Sequence, residues 1–198
     1  MRGKTLIQTA APSVEPIVLL EAKAHLKVET TAEDALIQGW IVAARQHVEA
    51  YTGRALLPQD WEVRMDDFPW HCGFVDLPNP PLIQVLWAKA FDAAGAETLI
   101  PSTDYVVDAP GGDRCGPARL YPAGNTISPA LDAYARGALR IRYRAGYASA
   151  GAVPAPLRAA MFLLIGDLFE SREASQNRNM QLNPAVERLL APYRLLVL

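Results

Sequence analysis

Cysteine and histidine are scarce in this sequence, and neither is clustered. There are two cysteines, Cys72 and Cys115, and three histidines, and the cysteines form no CxxC pair. A structural zinc site needs about four such ligands close together, so the sequence predicts no metal ligand and no cofactor-binding residue. A disulfide framework is excluded by the same count; a single Cys72–Cys115 bridge stays open as an alternative to two thiols.

An excess of basic residues and a membrane-spanning run are also missing. Nineteen lysines and arginines stand against 21 aspartates and glutamates, a net charge of −2, whereas a dedicated nucleic-acid binder draws its affinity from a basic excess. The most apolar stretch, Leu157–Phe169, is shorter than the roughly 20 residues of a membrane span. Arg2 and Lys4 are followed by only Leu6 and Ile7, so we expect no secretory signal and synthesis in the cytoplasm.

The strongest pattern lies between residues 139 and 171. In Leu139-Arg-Ile-Arg-Tyr-Arg-Ala145, apolar residues alternate with Arg140, Arg142 and Arg144, which predicts a strand with one buried face and one arginine face. The following segment, Pro156–Phe169, is apolar nearly all round. It predicts a helix that begins at its proline and is buried on several sides.

The region from Gln59 to Gly146 holds nine of the sixteen prolines and several short β-type runs. These predict short strands joined by long loops, at Trp61–Met65, Leu82–Ala88, Tyr105–Val107, Ala118–Tyr121 and Leu139–Ala145. Asp60, Glu62 and Asp66 fall on the polar face of the first strand. Since opposite charges stabilise when they face each other across strands, we expect these carboxylates and the three arginines on the same side of one sheet.

Two further helices precede this region. A short one is predicted over Leu20–Leu26, and a longer amphipathic one over Thr31–Tyr51, with Thr30 and Glu33 as a capping box and Gly53 as its end. We expect the longer helix to pack against Pro156–Phe169. Residues 1–17 read as an irregular arm, either a disordered tail or an arm that contacts a neighbouring subunit.

The end of the sequence combines a polar run with an apolar segment. Residues 171–183 predict an exposed hinge, after which Asn183 and Pro184 begin a short helix. The aliphatic residues from 186 to 198 are separated from the core helix by this hinge. They either fold back on the domain or contact another protein.

No constellation of catalytic residues is predicted. Asp66 and Asp67 are adjacent in an extended run, so their carboxyl groups point to opposite faces. The stretch 111–116 lacks the order of a phosphate-binding loop and predicts a turn. His25, His47 and the Trp70-His71-Cys72 loop have no further ligands nearby in the sequence.

Four motifs in a fixed order resemble the head–tail connector (adaptor) proteins of tailed bacteriophages and phage-like gene transfer agents. They are Leu20-Glu-Ala-Lys-Ala-His-Leu26; Ala43-Ala-Arg-Gln-His-Val-Glu49 with Tyr51-Thr-Gly-Arg54; Tyr143-Arg-Ala-Gly-Tyr147 with Val153-Pro154; and Phe169-Glu-Ser-Arg-Glu173. The resemblance covers about residues 18–194. The β region between Phe68 and Leu139 matches least well.

The resemblance implies a structural virion protein with no catalytic residues. It would form a ring, of twelve subunits in the family, under the portal protein at the virion neck, and would carry the tail-side closure or stopper protein. Double-stranded DNA would pass through the ring, and no membrane is involved. Two other classes stay open, a DNA-packaging accessory that binds nucleic acid and a small cofactor-free enzyme.

The same resemblance implies that the C-terminal segment docks on the portal. The candidate portal-binding residues are Val186, Arg188, Leu189, Leu190, Tyr193, Arg194, Leu195, Leu196 and Leu198. We expect this segment to be mobile until it docks, and deletion of residues 184–198 to leave the domain folded. Arg140, Arg142 and Arg144 are expected to form a solvated or salt-bridged face, and they are also candidates for a subunit interface or a DNA contact.

The predicted fold class is α+β, in one connector domain spanning residues 1–198. Its helical core would come from residues 18–54 and 147–194, with two main helices and short N- and C-terminal helices. Residues 59–146 would form an inserted region of short antiparallel strands.

Overall fold

The computed structural model describes residues 3–67, 73–92, 94–123, 137–170 and 183–195. Within these ranges the fold is α+β, and every strand pair is antiparallel. The elements are β1 (Lys4–Ala10), α1 (Leu19–Leu26), α2 (Asp34–Thr52), β2 (Gln59–Met65), β3 (Val75–Leu77), β4 (Leu82–Phe91), β5 (Glu97–Ile100), β6 (Tyr105–Asp108), β7 (Ala118–Pro122), β8 (Leu139–Ala145), α3 (Ala155–Glu170) and α4 (Pro184–Leu190). The chain divides into a β unit, Met1–Ser13 with Pro58–Gly146, and a helical unit, Val14–Leu57 with Tyr147–Leu198.

The β unit contains a five-stranded sheet and a three-stranded sheet. Their strand orders are β1-β2-β8-β4-β5 and β3-β7-β6. The central strand β8 alternates as predicted: Leu139, Ile141 and Tyr143 are buried, whereas the arginines between them are half-buried. The hydroxyl of Tyr143 donates to the backbone oxygen of Pro78 at 2.9 Å, just beyond β3, so the buried face of the large sheet is tied to the small sheet.

The predicted pairing of the charged faces is confirmed for two of the three acids. Strands β2 and β8 are neighbours, with Asp60 opposite Arg144 and Glu62 opposite Arg142. Asp66 lies beyond the end of β2, where its carboxylate accepts a hydrogen bond from the backbone N–H of Gly137 at 2.8 Å.

The prediction of an irregular N-terminal arm is wrong for residues 4–10. They form β1, an edge strand that pairs with β2 and places Leu6 opposite Val63. Only Ile7 of this strand is half-buried, so it carries almost no hydrophobic alternation that a sequence pattern could reveal. Strands β3 and β5 were also not predicted, because three and four residues are too few to establish a period. The five predicted strands are all present, and β4 continues three residues past Ala88 to Phe91.

In the helical unit, α3 packs against α1, α2 and α4, which explains why it is apolar nearly all round. The predicted contact between the two long helices is therefore confirmed. The shared core buries Ile37, Ile41 and Val48 of α2 with Leu157, Met161 and Ile165 of α3.

The ends of α2 show one correct and one wrong prediction. Gly53 ends the helix in the left-handed conformation, at φ 72°, where a residue without Cβ is favoured. The capping box is wrong: α2 begins at Asp34, and the hydroxyl of Thr30 accepts from the N–H of Ala32, in the turn that precedes the helix.

The C-terminal helix begins as predicted and packs where it was not expected. Asn183 accepts a hydrogen bond from the N–H of Ala185 at 3.0 Å, ahead of Pro184 in the first turn. Val186 and Leu190 of α4 are fully buried in the core of the helical unit, with Tyr193 just beyond. The expectation of a mobile segment is therefore wrong for residues 184–195. Of the predicted hinge at 171–183, residues 171–182 lie outside the described residues. Among the helices that the structure describes, none could span a bilayer.

Candidate assembly surfaces

The last described residues of the chain, 193–195, are held by the turn that follows α2. Arg54 donates from Nε to the backbone oxygen of Tyr193 at 2.6 Å, and the N–H of Leu195 donates to the oxygen of Thr52 at 2.9 Å. The guanidinium of Arg194 lies 5.4 Å from the centre of the Tyr51 ring, within range of a cation–π contact. We call residues 51–54, the sequence Tyr-Thr-Gly-Arg, the latch turn.

Arg54, Thr52 and Gly53 of the latch turn each contribute to these contacts in a different way. Arg54 is 2% exposed, and its rigid planar guanidinium is suited to holding a fixed carbonyl oxygen. The hydroxyl of Thr52 donates to the oxygen of Val48 at 2.7 Å. The backbone oxygen of Thr52 lies at the end of α2, where it has no partner within the helix, and it accepts from the N–H of Leu195. The side chain of Leu195 lies close over Gly53: a Cβ added to the glycine would lie 3.4 Å from Cδ1 of Leu195.

Burial divides the seven described candidates among the nine portal-binding residues into three groups. Val186, Leu190 and Tyr193 are core residues of their own subunit, so their assignment to a portal contact is corrected: they stabilise the fold. Arg188 and Arg194 are exposed, and Leu189 and Leu195 are half-buried. Leu196 and Leu198 lie outside the described residues. The described part of the segment thus presents two exposed guanidiniums and two half-buried leucines, and arginine is enriched at protein interfaces.

A second candidate surface is the charged side of the large sheet, which we call the arginine face: Arg64, Arg140, Arg142 and Arg144 above Asp60 and Glu62. Both carboxylates are buried, whereas the side chains of Arg64, Arg142 and Arg144 are 40%, 33% and 43% exposed. The side that meets solvent is therefore predominantly guanidinium.

Most cations of the arginine face have a partner within the sheet. Arg64 pairs with Glu62 at 2.6 Å, and Arg144 binds Asp60 at 2.7 Å. The hydrogen bond and charge of Asp60 raise the pKa of Arg144. Arg140 lies opposite Arg64, and two like charges in this position repel each other. The guanidinium carbon of Arg140 lies 3.9 Å from the centre of the Phe91 ring, and this cation–π contact offsets part of the repulsion.

Arg142 has the longer of the two arginine contacts with Asp60. It shares Asp60 at 3.9 Å, and its buried Nε has no acceptor among the described residues.

A buried ion-pair network in the helical unit was not foreseen. Arg45, 5% exposed, binds Glu15 at 2.8 Å and Glu49 at 2.7 Å, and Glu49 also accepts from the N–H of Leu56. Burial alone would lower the pKa of Arg45, but the hydrogen bonds and charges of Glu15 and Glu49 outweigh it and raise the pKa. The i, i+4 spacing of Arg45 and Glu49 could have indicated the second pair.

The residues weighed for catalysis do not come together. The carboxylate of Asp66 is occupied by Gly137, and His25 stacks on Phe162 with ring centres 5.1 Å apart, while His47 is exposed. In the described part of the chain, no group of three metal-binding side chains occurs. Residues 111–116 form the predicted turn, with the N–H of Cys115 donating to Gly112.

His71 and Cys72 lie outside the described ranges. The bridge from Cys72 to the buried Cys115 therefore stays an alternative.

Known structures share the fold over nearly the whole chain. It is similar to a chain from the neck of an empty gene transfer agent particle, computed with C6 symmetry, at a TM-score of 0.81 and 24% identity, covering 98% of this chain and 97% of that one. It is similar to a chain of the native gene transfer agent virion at a TM-score of 0.79, with the same identity and coverage. It is also similar to a chain from the native neck computed with C12 symmetry, at a TM-score of 0.78 and 23% identity over 98% and 97% of the two chains.

The sequence comparison points to the same class of protein. Residues 16–70 match the sequence model of the phage gp6-like head–tail connector proteins. This range includes α1, α2 and the latch turn. The resemblance to head–tail connectors that the four motifs indicated is therefore confirmed. Among curated proteins, none matches the sequence.

Proposed function

We propose that this protein is a head–tail connector: a structural adaptor at the virion neck that joins the portal of a DNA-filled head to the tail. The observation that carries this proposal is the match of residues 16–70 to the gp6-like connector family. The similarity of the fold to neck chains of gene transfer agents supports it over 98% of the sequence. The role is structural, and we propose no catalytic step.

The working form is a closed ring, which we propose to contain twelve subunits. The similar neck structures were computed with C6 and C12 symmetry, which supports a cyclic assembly. Neighbours in such a ring meet through two different surfaces, so each subunit needs one face for each neighbour. Arg140, Arg142 and Arg144 are the candidates for one of these faces, since they are only half-buried, whereas the carboxylate of Asp60 that Arg142 and Arg144 contact is buried.

The portal contact is assigned to the exposed part of the C-terminal segment. It comprises Arg188, Leu189, Arg194 and Leu195. Leu196 and Leu198, outside the described residues, complete the candidate set. The opposite side of the ring would carry the tail-side closure or stopper protein.

The charge of the chain suits a conduit for DNA. Each phosphate that a protein neutralises adds salt-dependent affinity, which would impede the passage of DNA. A net charge of −2 favours sliding over binding. We also propose that the two units belong to one connector domain, whose core is residues 18–54 and 147–194 and whose insertion is residues 59–146.

The test is the assembly state of the purified protein, alone and with the portal protein of the same particle. Sedimentation or mass photometry should detect a complex of a portal ring and a ring of this protein. Arg188→Glu with Arg194→Glu should weaken the complex while the far-ultraviolet circular dichroism stays unchanged. Lys27→Glu, also exposed and on α1's C-cap, is the matched control. A folded wild-type protein that does not bind the portal would contradict the proposal.

A further inference from the structure

We infer that the latch turn positions the portal-binding surface: it fixes the backbone of residues 193–195 and thereby the place at which Arg194 and Leu195 meet the portal. This inference rests on the proposed portal contact and adds the residues that determine its geometry. It also states that the latch is closed in the bound state.

The helix before this segment does not determine the direction of the chain. After α4, a 3₁₀ turn at Ala191–Tyr193 contains Pro192, and Arg194 then adopts an extended conformation, at φ −65° and ψ 129°. An extended residue continues no helical hydrogen-bond pattern, so its path depends on tertiary contacts. Those contacts come from the latch turn: Arg54 to Tyr193, Tyr51 to Arg194, and Thr52 with Gly53 to Leu195.

The latch turn binds the backbone of residues 193–195 and leaves the side chain of Arg194 exposed. Arg54 and Thr52 both bind main-chain atoms, whereas the side chain of Arg194 remains exposed above Tyr51. A surface held in its binding geometry loses less conformational entropy on docking, and so binds more tightly. In a ring the gain is repeated at every subunit, so a small effect on one contact becomes a large effect on the assembly.

The same geometry allows an engineered disulfide that holds Leu195 on the latch turn. A Cβ at Gly53 would lie 3.5 Å from the Cβ of Leu195, within the distance range of disulfides. The double variant Gly53→Cys/Leu195→Cys, with Cys72 and Cys115 replaced by alanine, therefore closes the latch covalently on oxidation. A cysteine at the positive φ of Gly53 is strained in both redox forms, so comparing the two forms of one protein isolates the effect of the disulfide.

The first experiment opens the latch with Arg54→Met. Hydrogen exchange of the Leu195 amide, which now donates to Thr52, should accelerate by about tenfold or more as this contact opens. Portal affinity, measured with immobilised portal rings, should fall by about tenfold or more. In the Arg54→Met protein that also carries Gly53→Cys and Leu195→Cys, the oxidised form should bind the portal more tightly than the reduced form, because both forms lack the Leu195 side chain and differ only in the disulfide.

Three results would overturn the inference. Faster exchange with unchanged portal affinity would make the latch a purely structural contact. Failure of the disulfide to raise the affinity of the Arg54→Met protein would show that Arg54 acts elsewhere. Weaker portal binding by the oxidised than by the reduced form of the double-cysteine protein, with Arg54 intact, would show that the segment must leave the latch turn to dock. This comparison decides the matter even if Arg54→Met does not fold. If wild-type protein does not bind the portal, the proposed function fails, while the exchange result still tests the latch itself.

Discussion

Asp60 binds Arg144 through both carboxylate oxygens, at 2.7 and 3.2 Å, across the β2–β8 strand pair. The same carboxylate lies 3.9 Å from Arg142, so one buried acid serves two arginines of the central strand. The arginine face therefore depends on Asp60 more than on any one of its cations.

The first prediction follows from this arrangement. Asp60→Asn should lower the free energy of unfolding by about 1–3 kcal/mol, since it removes the charge from a buried, doubly used acceptor. Urea unfolding measures the loss. The matched control is Asp76→Asn, whose pair with Arg119 is 3.3 Å long and about half exposed, and it should cost clearly less. Equal losses for the two variants would contradict a special role of Asp60.

The second prediction concerns the core of the helical unit. Ile165→Ala should cost about 2–5 kcal/mol, because its fully buried side chain leaves a cavity between α3 and its neighbours. Leu168→Ala, on the same helix and 38% exposed, should cost less than about 1 kcal/mol. Leu164, half-buried against the core, should fall between them. Thermal and denaturant unfolding of the three variants would contradict the packing if the order were reversed.

The third prediction is a dependence of stability on alkaline pH. Burial raises the pKa of Tyr143 far above its ordinary value. Burial of the neutral phenol therefore stabilises the fold fully below about pH 10, where the phenol of the unfolded state is also neutral. This stabilisation is lost as the pH rises further, because only the unfolded state can release the proton.

Tyr143→Phe separates this effect from the rest of the protein. It should cost about 0.5–1.5 kcal/mol at neutral pH, through the lost hydrogen bond to Pro78. Above about pH 10 its stability should fall less steeply than that of the wild type. Tyr105, whose pKa is also raised by burial, contributes equally to both proteins. Parallel curves of unfolding free energy against pH would contradict the prediction.

The fourth prediction revises the expected effect of a C-terminal truncation. Deleting residues 184–198 removes Val186, Leu190 and Tyr193 from the core, so the loss should exceed about 4 kcal/mol and leave the helical unit largely unfolded. Circular dichroism and hydrogen exchange would detect this. A truncated protein as stable as the full chain would show that these side chains contribute nothing to the core.

The parts of the fold that were predictable carry a local, repeated pattern. Strand β8 was predicted with its observed bounds, because Leu139, Ile141 and Tyr143 alternate with three arginines. Gly53 marked the end of α2, because few other residues adopt a positive φ at low cost. Strand β1 has no such pattern, since an edge strand with one half-buried residue needs no alternation.

The candidate surfaces were harder to predict, for a physical reason. Val186 and Tyr193 are apolar residues near the end of the chain, and burial in their own core or against a partner requires the same composition. The latch depends on Arg54 reaching a backbone oxygen 139 residues away. Because every residue carries such an oxygen, no pattern of side chains identifies the one that is bound.

The most direct test of the proposed connector function is the mass of the complex between this protein and the portal ring that we propose as its partner. We expect the folded wild-type chain to add to the portal as a complete ring, which we propose to contain twelve copies. We expect Arg188→Glu with Arg194→Glu to reduce this species without unfolding the protein, while Lys27→Glu does not. A wild-type protein with native circular dichroism that leaves the portal ring at its own mass would contradict the central claim.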